Sequence, residues 1–403
     1  MRAFPKGAAP AVLFICLAAQ LLAGCSEEPT EANALGGNLA QGSFVVRETT
    51  IVASSGSSTV TVIPMNGPVN LVGRFQGYTA YTAIRFAPSL FPVRDTIRVL
   101  SATLRLRAVS VFGDSNASFG IAVHRITAAW TDTITWDDVQ SGFYDPVASS
   151  TQPVPVGADT ESVVIRLDTA LVRSWYQGGT TGAQDSARRG IMLLPTGGSG
   201  LVRGFNAFLY SLDSAVHYPT LTVIAENLVG TVRDTSTYTT GNDTFTGNLT
   251  GFTPAADRLY TQSGIVWRSR LRFPTAFIPR GAIVNRAELR LTQDIPASLL
   301  STSAARAANV HLAIPTAGDS NSFAFTAYGS RIAEADSRQM LFTITPVVQR
   351  WVRGPNDGLV LRAKDVSEYG SFDRFVYYGV SAADSSVRPL IRVVYSVEQR
   401  KGK

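Results

Sequence analysis

A strand–helix–strand segment near the C-terminus sets the strongest constraint on the fold of this chain. Residues 341–345 have the apolar and β-branched content of a strand, and Pro346 begins about two turns of amphipathic helix that carry Trp351. The Gly/Pro-rich run 354–358 stops the helix, and a second apolar strand starts at Leu359. The pattern predicts a β-fold with one short helical connection.

The same design occurs upstream, so one folding unit is present twice. There the strand covers 163–167, the helix carries Trp175, glycines at 178 and 179 break it, and the returning strand covers 190–194. Three further pairs of segments match in the same chain order: 77–86 with 264–273, 99–106 with 284–291, and 218–223 with 388–393. Four landmarks in one order predict an internal repeat.

The beginning of the chain has the features of a bacterial export signal. Arg2 and Lys6 give a positive start, and a short apolar stretch, 8–19, follows. The run Leu22-Ala23-Gly24-Cys25 resembles the lipobox of bacterial lipoproteins, in which the cysteine is acylated and becomes the mature N-terminus. The resemblance predicts a signal peptide over 1–24, lipid on Cys25 and a membrane as partner. Ser26, with no aspartate at that position, resembles the outer-membrane sorting signal of Gram-negative lipoproteins and predicts that location.

After the leader, the sequence divides into a tether and two long β-rich parts. Residues 25–43 are acidic, small or polar without an apolar period, so they predict a flexible tether. The repeat predicts one domain over 44–226 and a second over 227–397, followed by a basic tail at 398–403. Short alternating strands, Gly/Pro turns and one short helix per repeat predict an all-β protein of two tandem jelly-roll-type β-sandwich domains. We expect each domain to fold independently.

The charge of the chain argues against a nucleic-acid partner. Lys and Arg number 36 against 30 Asp and Glu, and two of the basic residues, Arg2 and Lys6, lie in the leader. The remaining positive charge is dispersed, with no Lys/Arg-rich run. No segment after the leader is long and apolar enough to span a bilayer.

Several packing motifs together resemble the DNRLRE-domain family. They are Ile84-Arg85-Phe86, the strand 101–106, the segment Ala-Trp-Thr-Asp-Thr-Ile-Thr-Trp at 129–136, the Trp-ended helix before a glycine break, and the ending 388–395. The family consists of β-sandwich modules of bacterial and archaeal surface and secreted proteins, related to a class of carbohydrate-binding modules. The resemblance covers nearly all of the mature chain and implies the sandwich fold and a polysaccharide ligand. The second repeat has 322–326 in place of the Trp-containing segment, and the first ends in His-Tyr-Pro rather than Arg-Pro, so a ligand site need not occur twice.

Aromatic side chains are the first candidates for sugar contacts, because an exposed ring can stack on a pyranose face. Trp175 and Trp351 lie on the apolar stripes of the two helices, which predicts core positions. Tyr81 is out of phase with the buried positions of its strand and is expected to be exposed. Trp130, Trp136 and Tyr144 border a long loop, where core packing and ligand contact both remain open.

Arginine recurs at outward strand positions of both repeats: Arg85, Arg105 and Arg107 in the first, Arg272 and Arg290 in the second. If the strands that carry these residues are neighbours in one sheet, their guanidinium groups form a ladder on an outer face. A guanidinium matches a planar carboxylate, so the ladder predicts a preference for an acidic polysaccharide. A plain solvated face is the alternative.

The sequence contains no pattern for a catalytic or metal site. Its three histidines are isolated, with no His-x-x-His or Cys partner, and no Gly-x-Ser-x-Gly run occurs. Loop carboxylates such as Asp137 and Asp138 can in principle hold a structural Ca²⁺, but none has the spacing of an EF-hand loop. We therefore expect no cofactor and no metal.

Together these patterns predict a surface-tethered, non-catalytic lipoprotein that binds an extracellular or envelope polysaccharide. A structural or adhesive surface protein without specific sugar binding is the first alternative. A polysaccharide lyase or hydrolase is the second, and it is disfavoured because no Tyr/His/Arg/Lys constellation stands out. The sequence contains no motif for a protein partner.

Overall fold

The computed structural model describes residues 43–61, 63–87, 91–92, 96–114, 117–140, 142–154, 162–177, 188–198, 200–208, 218–229, 232–300, 307–312, 315–316, 319–323, 327–332, 338–363 and 368–399. The predicted signal peptide, Cys25, the tether up to residue 42 and the tail beyond residue 399 lie outside these residues. No helix in the described ranges is long and apolar enough to cross a membrane.

The described residues are mostly β-structure, as the alternating patterns predict. The first eleven strands are β1 (Ser43–Val52), β2 (Ser55–Thr61), β3 (Val69–Phe75), β4 (Tyr78–Phe86), β5 (Ile97–Gly113), β6 (Gly120–Arg125), β7 (Ser150–Pro153), β8 (Ser162–Arg166), β9 (Ile191–Thr196), β10 (Leu201–Asn206) and β11 (Thr220–Asn227). The others are β12 (Arg233–Leu249), β13 (Arg258–Gln262), β14 (Val266–Arg272), β15 (Ile283–Thr292), β16 (Ala307–Leu312), β17 (Pro315–Thr316), β18 (Asp319–Phe323), β19 (Ala327–Ile332), β20 (Gln339–Thr343), β21 (Leu359–Ala363), β22 (Arg374–Tyr378) and β23 (Leu390–Gln399). The predicted all-β class is confirmed.

Two short helices lie where the repeated segment predicts them: α1 (Thr169–Gln177) and α2 (Thr345–Arg353). The Asp168 carboxylate accepts hydrogen bonds from the backbone N–H groups of Ala170 (2.6 Å) and Leu171 (3.0 Å), which caps the start of α1. Pro346 occupies the first turn of α2, where a missing N–H costs nothing. Trp175 and Trp351 are both buried, so their assignment to the core is confirmed.

The first sandwich, called unit 1, packs one sheet of β12, β11, β5 and β8 against a second that contains β10, β3, β4, β9, β6 and β7. The long strands β5 and β12 take part in both sheets: β5 pairs with β11 and then with β10, and β12 pairs with β11 and then with β4. Between the sheets lies one apolar core to which Leu104, Ile165 and Trp175 belong. Along each strand, the buried residues of the alternating pattern therefore point into the same sandwich interior.

The second sandwich, called unit 2, repeats this plan. One sheet has the order β1-β23-β15-β20, and the other has the order β19-β16-β21-β14-β13-β22, with β2 paired to β14. Its core contains Leu289, Trp351 and Ile391, together with Ile51 of β1. The predicted tandem of jelly-roll-type sandwiches is thus present, each with one helix.

The two units exchange their first strands, which the sequence did not predict. β1 pairs with β23 along its whole length, from Ser43 opposite Gln399 to Val52 opposite Leu390, and β2 pairs with β14. Conversely, β12 at the start of the second repeat pairs with β11 and β4 of unit 1. The domain limits predicted at 44–226 and 227–397 therefore differ from the structure, since residues 43–61 complete unit 2 and residues 233–249 complete unit 1. We call these segments arm 1 and arm 2.

Each arm carries side chains that suit the unit it completes. In arm 2, the hydroxyl of Tyr238 lies 2.8 Å from that of Tyr176 in α1, and Phe245 is fully buried. By strand register, Ser58 of arm 1 corresponds to Phe245, and its hydroxyl hydrogen-bonds Ser269 of β14 at 2.8 Å. An apolar ring and a hydroxyl cannot replace each other in these places without leaving a clash or an unpaired group. The side chains therefore favour the exchanged arrangement.

A third apolar core joins the two units. Tyr78 of unit 1 stacks on Phe372 of unit 2 with ring centroids 4.0 Å apart, and its hydroxyl donates to the carbonyl oxygen of Gly264. Leu71 and Phe245 from unit 1 and Val266 from unit 2 belong to the same buried cluster. This shared core buries apolar surface that each unit would expose to water on its own.

Candidate functional site

The Trp-containing segment of the first repeat folds over the outer face of unit 1. Residues 126–140 and 142–146, called the cover segment, lie on the side of β4, β6 and β9 that faces away from the sandwich core. Side chains of both parts form a small separate core: Ala83, Ile126, Trp130, Ile134, Val139, Phe143 and Met192. The cover segment is therefore anchored by apolar burial on a rigid sheet.

Specific hydrogen bonds hold the cover segment in place. The indole N–H of Trp130 donates to the carbonyl oxygen of Arg189 at 2.7 Å, and the backbone N–H of Asp145 donates to the carbonyl oxygen of Arg125 at 2.8 Å. The Asp138 carboxylate accepts from the backbone N–H and the hydroxyl of Thr135, and these bonds lower the pKa of Asp138. The segment is a set of tight turns whose polar groups are paired.

β9 comes close enough to β4 to complete this surface because of one glycine. Gly190 has φ +93°, and a Cβ atom there would lie 2.1 Å from the carbonyl oxygen of Ile84. Only glycine combines this left-handed conformation with such a close approach. The arrangement places Leu194 of β9 near Tyr81 of β4, at the floor of a cleft.

The cleft opens between the sheet and the cover segment and has a volume of about 580 Å³. Its lining consists of Tyr81, His124, Trp136, Val139, Gln140, Gly142, Tyr144, Pro146 and Leu194. The rings of Tyr81 and Trp136 lie 4.9 Å apart between centroids, inclined by 37°. Three half-buried aromatic rings, two of them in contact, thus meet in one concave surface with an amide and an imidazole.

The polar groups of the cleft have defined hydrogen-bonding roles. His124 Nδ1 lies 2.7 Å from the carbonyl oxygen of Asp145, which can only accept, so Nδ1 carries a hydrogen. The pKa of Tyr144 is raised, first by burial and then by the nearby Tyr81, while Arg74 opposes the shift. Tyr144 therefore keeps its hydroxyl proton at neutral pH.

The structure brings two of the predicted sugar-binding residues, Tyr81 and Trp136, together in the cleft. Two others, Trp130 and Arg85, lie outside the cleft and hold the cover segment on the sheet. Tyr81 and Trp136 line the cleft in contact with each other. Trp130 is only 5% exposed and belongs to the small core below the cover segment. The Arg85 guanidinium lies 5.2 Å from the centre of the Trp130 ring and donates to the Trp130 carbonyl oxygen, so Arg85 fastens the cover segment.

The predicted arginine ladder does not form. Arg85 lies on β4, whereas Arg105 and Arg107 lie on the part of β5 that pairs with β11 and β8, on the opposite outer face of unit 1. Arg272 on β14 and Arg290 on β15 are likewise in different sheets of unit 2. The condition that these strands be neighbours is not met. Arg105, Arg107 and Arg290 lie in one sheet of each sandwich, and Arg85 and Arg272 lie in the other.

The outer arginines of unit 2 have partners of their own. Arg290 donates to the carbonyl oxygen of Ser386 at 2.9 Å. On the same face, Arg286 pairs with Glu288 at 2.9 Å, and Arg392 pairs with Glu48 of arm 1. Arg272 instead borders a separate cleft of about 430 Å³ that also includes Arg280, Trp351 and Asn356.

Sequence reasoning missed two polar lining residues of the aromatic cleft, His124 and Gln140. His124 is one of three isolated histidines in the sequence, and Gln140 belongs to no pattern. Only the fold of the cover segment places them beside Tyr81. Within the described residues, no group of three His, Cys, Asp or Glu side chains comes together as a set of metal ligands.

Comparisons with known proteins add little to this geometry. No protein-family model and no curated protein matches the chain. Among solved structures, one is described as the structure of infectious bursal disease virus Gx strain. Its match to this protein has 14% sequence identity and a TM-score of 0.12, and it covers 89% of this chain and 77% of the viral chain. The match to the crystal structure of the infectious bursal disease virus VP2 subviral particle has 12% sequence identity and the same TM-score, and it covers 91% of this chain and 82% of the viral chain. A TM-score this low carries no argument, and the β-sandwich fold itself is compatible with a surface or structural role.

Proposed function

We propose that this protein is a non-catalytic, lipid-anchored surface protein that binds a polysaccharide in the aromatic cleft of unit 1. The observation that carries the proposal is the convergence of Tyr81, Trp136 and Tyr144 on one concave surface beside His124 and Gln140. Ligand sites combine apolar and aromatic walls with a few oriented polar groups, and this cleft has that composition. The rings offer apolar faces to the C–H side of a pyranose.

The polar groups complement sugar hydroxyls. The Tyr144 hydroxyl is a donor, the Gln140 amide supplies both a donor and an acceptor, and Nε2 of His124 is an acceptor whenever the ring is uncharged. The residues that line the cleft include no carboxylate, whereas glycoside hydrolysis uses a pair of carboxylates. This composition supports binding rather than hydrolysis.

A polysaccharide lyase is the alternative that one observation favours. Tyr81, Tyr144 and His124 share the cleft, and Arg74 is close enough to Tyr144 to affect its pKa. A tyrosine that removes a proton from a uronate needs a lowered pKa, and the pKa of Tyr144 is raised. The environment of Tyr144 therefore argues for a hydrogen-bonding role, whereas a lyase would release unsaturated products from a uronate polymer.

The anchor and the family belong to the same proposal. The lipobox-like run before Cys25 and the acidic tether support a lipoprotein of the bacterial outer membrane that carries DNRLRE-like modules. The described fold starts at Ser43, directly after the tether, so a lipid on Cys25 would hold both units at the membrane surface.

An acidic polymer would be favoured on the opposite outer face of unit 1. Arg105 and Arg107 point outward from β5, and Arg166 points outward from the paired strand β8, opposite Thr103. Among the described residues, no carboxylate lies within ion-pair distance of these three guanidinium groups. The proposed preference for an acidic polysaccharide thus depends on the cluster of Arg105, Arg107 and Arg166, because the predicted arginine ladder does not form.

A glycan array followed by calorimetry tests the proposed site. Trp136→Ala should weaken binding of the best array ligand at least about tenfold, because it removes one wall of the cleft. Phe277→Ala is the matched control, since Phe277 is an exposed ring of unit 2, 55% accessible and outside the cleft. Thermal unfolding verifies that both variants stay folded. Equal affinity of Trp136→Ala and the parent protein, an empty array, or release of unsaturated products would each contradict the proposal.

A further inference from the structure

β1 of arm 1 lies at the edge of its sheet in unit 2. In the described part of the chain it pairs with β23 only, so the N–H and C=O groups of its other edge have no strand partner. The strand is ten residues long, contains no proline and keeps one register against β23 without a bulge. Natural proteins blunt such edges with proline, bulges or charged side chains. β1 has neither a proline nor a bulge, and its two charges, Arg47 and Glu48, are adjacent and opposite in sign.

The outward side of β1 is apolar. Phe44, Val46 and Val52 are 47%, 63% and 46% exposed, and all three belong to the alternate positions that face away from the core. The charge between them, on Glu48, is already paired with Arg392 of β23. A long, regular edge strand with three exposed apolar side chains and no net charge is a template for another strand.

The equivalent edge of unit 1 is polar, which makes the apolar edge a property of unit 2 alone. By strand register, Val52 corresponds to Thr239 of β12, Glu48 to Thr235, and Val46 to Arg233. Both edges arise from the same duplicated element, so the fold does not require the valines. Their exposure in one copy points to a contact that the other copy does not make.

We propose that β1 is a self-association edge, at which β1 of one molecule pairs antiparallel with β1 of a second copy of this chain. The pairing would join two four-stranded sheets into one continuous sheet of eight strands. The sequence of β1 selects the register. Centring the twofold axis on Arg47 or on Glu48 would place like charges opposite each other, which is unfavourable.

A twofold axis at Thr49 avoids this conflict. Val46 then lies opposite Val52 of the second copy, and Glu48 lies opposite Thr50, so the two exposed valines cover each other. Main-chain hydrogen bonds would supply the affinity and the valine pairs the specificity, as in other strand additions. A contact limited to one strand from each copy predicts a dimer that dissociates on dilution.

Sedimentation velocity of residues 26–403 over a range of concentrations tests the proposal. The parent protein should shift from monomer to dimer as concentration rises, and Val46→Lys/Val52→Lys should weaken dimerisation at least about tenfold, since four ammonium groups then meet at the edge. Thr235→Lys/Thr239→Lys adds the same charge at the equivalent edge of unit 1 and should leave dimerisation unchanged.

A cysteine at the axis gives a second readout. The chain has two cysteines, Cys16 and Cys25, so residues 26–403 contain none and Thr49→Cys introduces a single thiol. Mild oxidation should convert this variant into a disulfide-linked dimer, because a residue on the axis lies opposite its own copy. A monomer at all concentrations, equal effects of the two lysine pairs, or failure of Thr49→Cys to cross-link would overturn the proposal.

Discussion

Val52 lies opposite Leu390, so the first described strand of the chain pairs with the last one. A contact between residues so far apart in sequence closes unit 2 only when both ends of the chain are present. The same exchange gives unit 1 its last strand from the second repeat, β12. Residues 63–249 are therefore one continuous piece that contains every strand of unit 1, from β3 to β12.

Splitting the chain gives the most direct check of the exchange. We expect residues 63–249 to fold as an all-β fragment with a cooperative thermal transition, because arm 2 covers the core of unit 1. Residues 44–226 should fail, since Tyr176 loses Tyr238 and the strand that covers β4 is missing. Circular dichroism and thermal melting of both fragments are the measurement. Equal stability of the two fragments would contradict the exchange.

The buried carboxyl group of Asp243 in arm 2 predicts a pH dependence of stability. Burial raises its pKa to about 7, against two weaker opposing effects, the Phe208 backbone N–H and the Asn70 side chain. An unfolded aspartate titrates near 3.9, so the folded state binds more protons between about pH 4 and pH 7. Stability from this group is therefore full below pH 4 and falls as pH rises toward 7.

Asp243→Asn separates this effect from other titrations. Asparagine keeps an oxygen acceptor for the Phe208 N–H and cannot ionise. The free energy of unfolding of the parent protein should drop between pH 4 and pH 7 relative to the variant, by up to about 3 kcal/mol. Urea unfolding at several pH values measures the difference. Parallel pH profiles of the two proteins would show that Asp243 does not titrate in this range.

The outer face of unit 1 predicts salt-sensitive binding of an acidic polymer. Arg105→Gln/Arg166→Gln should weaken binding of polygalacturonate by roughly threefold to tenfold at low salt and change binding of a neutral glucan little. Arg272→Gln/Arg280→Gln removes the same charge in unit 2 and is the matched control. Affinity capillary electrophoresis at about 0.05 and 0.5 M salt shows whether the attraction is screened. The prediction fails if both double variants lose the same affinity.

Cys25 predicts the cellular behaviour of the whole chain. Cys25→Ser removes the acylation site and should move the protein from the membrane fraction to the soluble fraction, or leave the signal peptide uncleaved. Fractionation with an antibody to the folded part measures this. Cys16→Ser, within the apolar stretch of the leader, is the control and should remain with the membrane. An unchanged membrane fraction of Cys25→Ser, with the signal peptide still cleaved, would rule out the anchor.

The parts of the site that the sequence predicted are those that depend on one strand at a time. Tyr81 lies out of phase with Ile84 and Phe86, so its outward orientation follows from period two alone. The same rule placed Arg105 and Arg107 outward. Whether two outward residues share a face depends on which strands pair, and the part of β5 that carries Arg105 and Arg107 lies in the sheet opposite β4. The ladder prediction was wrong for that reason.

By itself, the sequence determined the all-β class, the duplication, the two short helices and the burial of Trp175 and Trp351. These features depend on local periodicity, on proline and glycine breaks, and on apolar stripes within a few residues, all of which can be read along the chain. Only the tertiary structure decided that arm 1 completes unit 2, that arm 2 completes unit 1, and that Trp136 meets Tyr81. Many apolar strands can form backbone hydrogen bonds with the same sheet edge. Which strand pairs there therefore depends on how side chains from distant segments fit, as in the contacts of Tyr238 with Tyr176 and of Ser58 with Ser269.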